Sequence, residues 1–247
     1  MTARQLVAEL RLVLRVLLRQ PGFWVPTVLF PAMLYAFFGA GLAGTGPAAG
    51  YAMASFAIYA VLGVGFYQFG VTVAQDRADP FIRWQRLLPG SAVAPWVARV
   101  AAGIGFSAVA MALVLLLGKV LGGVVLSDAG AWLRLVAIAL MAALPATLMG
   151  TALGSLASER AAAPLANLVF LPLAYLGGLW MPPQLLPETV AAISVWTPTR
   201  AMGELAWAAL DGRSLPERYL AVLAVWTAIA ALITWLAQTR QSKVDFG

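Results

Sequence analysis

The side chains of this 247-residue chain that could act together fall in one short stretch, QDRADPFIRWQRLLPGSAVAPWVAR, from Gln75 to Arg99. It carries Asp76, Arg77, Asp79, Arg83, Arg86 and Arg99, whereas no charged residue occurs between Arg19 and Asp76, and apolar sequence resumes at Val100. Such residues are suited to binding rather than to reaction, because a guanidinium stays protonated and offers a fork of donors to carboxylates and carbonyls. The chain has no His and no Cys, which removes the usual general base, soft metal ligands and disulfides. Its Gly118-Lys119 is followed by Val120, so it does not form a phosphate-binding loop of the G-x-x-x-x-G-K-[ST] kind. Gly105-Phe106-Ser107-Ala108-Val109 lacks the last glycine of a nucleophile elbow. Glu188, Glu204 and Asp211 are the acidic cluster on which a lipid-modifying enzyme would have to rely.

Within the basic stretch, Asp79 suits a helix cap and Pro80 the first helical position. Phe81, Trp84, Leu87 and Leu88 then share one face, Arg83 and Arg86 lie elsewhere, and Pro89-Gly90 stops the helix. An aromatic-aliphatic face with basic flanks fits a groove on a soluble partner, and it also fits a lipid surface. The residues alone leave both open. The contact set is Asp76, Arg77, Asp79, Phe81, Arg83, Trp84, Arg86 and Leu87, with Ser158-Glu159-Arg160 as a second contact.

The elements around this stretch follow from composition. The chain is 62% hydrophobic and 11% charged, against about 25% charged for a soluble domain. Its mean hydropathy is +0.87. Such a chain takes the bilayer as its solvent, and charge-free apolar runs of about 20 residues read as spanning helices, an all-α membrane protein. Residues 1–20 read as an amphipathic interfacial helix: Leu6, Leu10, Leu14 and Leu17 keep helical spacing while Arg11, Arg15 and Arg19 fall on another face. The alternative is a solvated helix. Arg4, Glu9 and those arginines interrupt any signal-peptide core.

Charge-free runs over 20–75, 100–118, 135–158, 161–187 and 219–239 predict six spans, the first run being divided by the breakers at 44–50. The spans run over about 22–43, 51–74, 97–118, 133–157, 162–180 and 218–238, in one membrane domain covering 1–247. With both termini inside, eleven of the sixteen Lys and Arg residues lie on the inner side and five on the outer side. The loop at 75–96 is then cytoplasmic, and 181–216 lies outside. This outer segment reads as two short helices, about 184–195 and 199–210, lying at or dipping into the outer leaflet, with Trp180, Trp196 and Trp207 suited to the interface.

Pro26, Pro31, Pro145 and Pro172 should kink or interrupt spans. Gly118/Gly122 and Gly150/Gly154, the latter extended by Ser158, allow close helix approach. Spans one, two and five combine prolines with sparse polar side chains, and Tyr35, Tyr67, Gln68, Asn167 and Tyr175 are the expected pathway-lining residues. No Asp, Glu, Lys or Arg stands at the centre of a span, which argues against a proton-driven pump. A sodium site built from backbone would escape this test, so an ion-coupled secondary transporter remains the alternative.

Six spans, a first amphipathic helix and a basic helical loop between spans two and three resemble the permease subunit of ABC type-2 exporters. The 167–198 stretch is the most specific part: Asn167, then Pro172-Leu173-Ala174-Tyr175-Leu176-Gly177-Gly178-Leu179-Trp180-Met181-Pro182, Leu186-Pro187 and Thr197-Pro198. The loop departs from the family pattern, with Asp76-Arg77-Ala78-Asp79-Pro80 where an acidic stretch with Gly-Thr is common. The resemblance implies a non-catalytic subunit in the cell membrane that pairs with a second permease copy or a similar permease. Two ABC ATPase subunits would bind its cytoplasmic loops and hold MgATP, with no cofactor on this chain and no nucleic-acid partner. It implies export of a lipid, a lipid-linked glycan or an amphipathic drug-like substrate.

Overall fold

The structure is a computed structural model and describes residues 3–42, 46–80, 93–126 and 129–245. Among these residues the only regular elements are helices. The first, α1 (Ala3–Leu18), leans on α7 (Val93–Val120) through Leu10, Val13, Leu14 and Leu17 and leaves its arginines on the far side. Between Pro21 and Leu42 the helix is irregular. Short α-turns α2 (Pro21–Trp24), α3 (Phe30–Leu34) and α4 (Ala40–Leu42) alternate with wider π-turns at Val25–Leu29 and Tyr35–Gly39. Pro26 and Pro31 account for the first widening, because each removes an N–H and crowds the carbonyl four residues back.

The centre of the bundle is the helix Pro47–Ala78, made of α5 (Pro47–Val64), a π segment Gly65–Val71 and α6 (Thr72–Ala78). Its side chains from Met53 to Phe66 are almost all buried. It is flanked by α7, by α8 (Ala129–Leu156) and by α9 (Glu159–Leu176). A 3₁₀ turn (Pro183–Leu185), α10 (Glu188–Ser194) and α11 (Pro198–Leu210) follow, and α12 (Glu217–Asp245) lies on the outside of α8 and α11. Much of α12 is exposed and apolar, as Val225, Trp226, Leu232 and Trp235 show. A helix can face lipid in this way because acyl chains replace the missing side-chain neighbours.

Among the described residues, four helices are long and apolar enough to cross a membrane: Pro47–Ala78, Ala94–Val120, Ala129–Leu156 and Glu217–Ala237. The other two expected spans differ. In the first, the apolar helix shortens to Val25–Gly39. In the fifth, α9 has 18 residues with Pro164 and Pro172 inside it, about 27 Å of helix against about 30 Å of hydrocarbon.

The connection after α9 also differs from a helix pair resting on a surface. α11 is covered on nearly every side by α5, α8 and α12, with Ala201, Met202, Leu205 and Ala206 fully enclosed. That burial is possible because the end of α9 leaves few carbonyls unmet. Gly177 N–H donates to Leu173 O, Gly178 N–H to Tyr175 O and Leu179 N–H to Ala174 O. The Thr199 hydroxyl donates to Leu173 O at 2.5 Å and the Ser194 hydroxyl to Leu176 O. The last four carbonyls of the helix are thereby satisfied without water.

Candidate functional site

The end of the bundle from which the 81–92 segment departs is held by charged side chains. α6 stops at Ala78, and Asp79 turns extended (φ −75°, ψ 116°), the backbone a cap requires, with Pro80 helical after it. Phe81, Arg83, Trp84, Arg86 and Leu87 lie outside the described residues. Arg99, at the start of α7, pairs with Asp76 and lies over the Trp96 ring at 5.8 Å. Arg77 reaches across to the end of α8, where its Nη1 donates to Ser155 O at 2.5 Å, Gly154 O at 3.1 Å and Ala157 O at 3.3 Å. These are carbonyls at the C-terminus of a helix, where its dipole is negative and a cation is favoured. Asp76 and Arg77, expected to meet a partner, are thus also engaged inside the chain.

Above this clasp the second span and α8 meet backbone to backbone. A Cβ on Gly150 would lie 2.1 Å from Gly65 O, one on Gly154 2.2 Å from Gly70 O, and one on Gly65 2.6 Å from the Ala146 carbonyl carbon. The four-residue spacing of Gly150 and Gly154 was legible as a close-packing motif; their partners were not. Gly65 and Gly70 are five apart, which splits them onto different faces of an α-helix but aligns them in the π segment that contains both. Ala74, Ala157 and Ala162 continue the tight seam to the clasp.

The expected pathway residues separate into two groups. Tyr35 is fully enclosed and packs edge-on against Phe56 at 5.7 Å, and Gln68 is 1% exposed beside Gly103 and Phe69. Both face neighbouring helices of this chain. Tyr67 is half-buried and donates its hydroxyl to the amide oxygen of Asn167, which is exposed on α9; Tyr175 is half-buried on the same helix. α9 itself packs through Ala162, Ala166, Phe170 and Ala174, one stripe at four-residue spacing, and leaves Leu168, Val169 and Leu171 exposed. Phe170 is the node of an aromatic group, 4.8 Å from Tyr59, 5.6 Å from Phe66 and 6.1 Å from Tyr67. A mixed surface of this kind can accept an amphipathic molecule or another apolar helix.

At the opposite end, Arg134 Nε donates to Ala209 O at 2.9 Å, closing the end of α11. The Tyr51 hydroxyl bonds the Asp211 carboxylate at 2.9 Å, and Trp207 Nε1 donates to Ser55 Oγ at 3.0 Å. Glu204, one of the acidic cluster, pairs with Arg200 at 2.6 Å, and Arg200 lies 5.6 Å over the Trp207 ring. Asp211 takes Arg213 at 2.8 Å. Glu204 and Asp211 are therefore tied into the packing of this end.

Comparison with known proteins agrees with the arrangement. The family described as "ABC-2 type transporter" matches residues 4–210. "Putative transport permease YvfS" of Bacillus subtilis (strain 168) is 25% identical over 254 residues, covering 98% of each chain. No solved structure matches the chain.

Proposed function

This chain belongs to the ABC-2 type transporter family, and on that premise we propose that it is the membrane subunit of an exporter whose ATP is hydrolysed on a separate ABC ATPase. The family is one of transport permeases, and the apolar helices make the chain a multi-pass membrane protein. In the proposed complex two ATPases hold MgATP, two permease copies form the pathway, and the termini and the 75–96 loop face the cytoplasm. All six sequence-defined spans cross the bilayer, with the irregular first helix and the short α9 spanning it where the protein or its partner thins or shields it.

The observation that carries this reading is the root of the 81–92 segment. A loop tied by Asp76 to α7 and by Arg77 to the end of α8 can pass a push from a soluble motor to several helices. The exposed face of α9, with Asn167 and the half-buried Tyr67 and Tyr175, supports a pathway between two copies. The substrate is a lipid, a lipid-linked glycan or an amphipathic drug-like molecule, because that face pairs apolar area with sparse uncharged hydrogen-bonding groups. Tyr35 and Gln68, enclosed here, would meet substrate only in another state of the cycle.

The test is co-purification. The Arg83→Ala, Trp84→Ala double variant should express like the parent and lose most of the ATPase that accompanies it. An unchanged yield of ATPase removes the coupling claim. Uphill transport by the purified chain alone, driven by an ion gradient, would instead establish a secondary transporter.

A further inference from the structure

Resting on the coupling reading above, we propose that Arg77 is a positioning residue that joins α6 and the α8–α9 turn into one moving body. Displacement of α6 would then be delivered first to Ser158-Glu159-Arg160.

The two ties at the root of the segment differ in kind. Asp76 and Arg99 form a part-buried ion pair between two side chains, and both can change rotamer as the helices behind them shift. Arg77 places one guanidinium on three carbonyls that end α8, groups that have no partners within their own helix. Opening that clasp would strand those carbonyls near the membrane, so it resists separation where the ion pair yields. The seam above it has the same character. Gly65 and Gly70 touch Gly150 and Gly154 through backbone atoms, and Ala74 packs in one cluster with Ala157 and Ala162. Leu153 and Val71 pack beside this line, and the closest contacts along it are backbone to backbone. α6 therefore carries α8 with it, and the turn from Ala157 to Glu159 follows, because Ala157 O is itself one of the clasped carbonyls. α7, on the other side of the segment, can lag.

The chain has no cysteine, so Ser158→Cys supplies a unique thiol on an exposed turn. The complex of this variant with its ATPase is placed in phospholipid vesicles, and maleimide labelling is timed with and without MgATP and vanadate. The labelling rate should change on nucleotide trapping. In vesicles matched for bound ATPase, adding Arg77→Gln should abolish that change, and Arg77→Lys should restore part of it. Persistence of the full change in Arg77→Gln overturns the role of Arg77. Should Arg77→Gln not fold, the Ala74→Cys, Ala157→Cys pair decides: joining the two thiols with a short bis-methanethiosulfonate should leave ATP hydrolysis by the complex intact. Loss of hydrolysis on linking, recovered with reductant, means the two parts must separate and overturns the proposal. An absent ATPase, or no nucleotide response in the Ser158→Cys parent, refutes the coupling reading itself and the role of Arg77 with it.

Discussion

Gly150→Ala adds one methyl group at a point where no side chain can move aside. Its Cβ would meet Gly65 O at 2.1 Å, Gly65 C at 2.9 Å and Phe66 Cα at 3.2 Å, all of them backbone atoms. Relief therefore requires the helices to part by about 0.9 Å, the gap between 2.1 Å and the 3.0 Å that real Cβ contacts respect. Overpacking of this kind costs about 1–3 kcal/mol. Alanine recovers about 1 kcal/mol through its better helix propensity. The net loss, up to about 2 kcal/mol, corresponds for a chain of this size to a melting temperature lowered by up to roughly 8 °C. The matched control is Gly105→Ala, where a Cβ meets nothing within 4 Å. That variant gains the propensity and should melt at or slightly above the parent. Thermal unfolding of the three proteins in one detergent, followed by intrinsic tryptophan fluorescence, measures both effects. If Gly150→Ala melts with or above Gly105→Ala, the backbone seam between the second span and α8 is not formed as described.

Thr199→Val keeps the shape of a fully buried side chain but removes its 2.5 Å bond to Leu173 O, a carbonyl that still receives Gly177 N–H. A loss of about 1 kcal/mol, or about 2–4 °C in melting temperature, should follow, and the same unfolding measurement checks it. Tyr67→Phe removes the hydroxyl that bonds Asn167 while keeping the ring against Phe170. Because the lost bond lies at an exposed position, melting should shift by less than about 2 °C while substrate-stimulated ATP hydrolysis by the reconstituted complex falls. A fall in melting temperature as large as that of Thr199→Val would assign the pair to packing instead.

The parts of the fold legible in the sequence are those set by where charge is excluded. The runs placed at 51–74, 97–118, 133–157 and 218–238 reappear as Pro47–Ala78, Val93–Val120, Ala129–Leu156 and Glu217–Asp245. Each helix starts before its run, because only the lipid-immersed part must be apolar while the backbone coils outside it as well. The burial of α11 was not legible, since its apolar content suits an interface as well as an interior. What decides between them is Thr199 and Ser194 meeting carbonyls about twenty residues earlier, a relation no local pattern encodes. The five-residue spacing of Gly65 and Gly70 carried a signal only to a reader expecting a π segment there, and no proline marks one. Arg77 illustrates the same limit: its position in the basic stretch suggested an outside partner, whereas its reach to Ser155 O depends on how two distant helices cross.

With α11 enclosed by the bundle, the connection between α9 and α12 is open in two places, the stretch before Thr197 that holds the exposed Leu185, Ile193 and Trp196, and Asp211–Ser214 just after that helix. Gly212, at φ +68°, already turns the chain outward at that point, and Arg213 is well exposed. A short epitope inserted after Arg213 should therefore be displayed without unpicking the helices, and antibody staining of intact against opened cells would then report on which side of the membrane this end of the molecule resides.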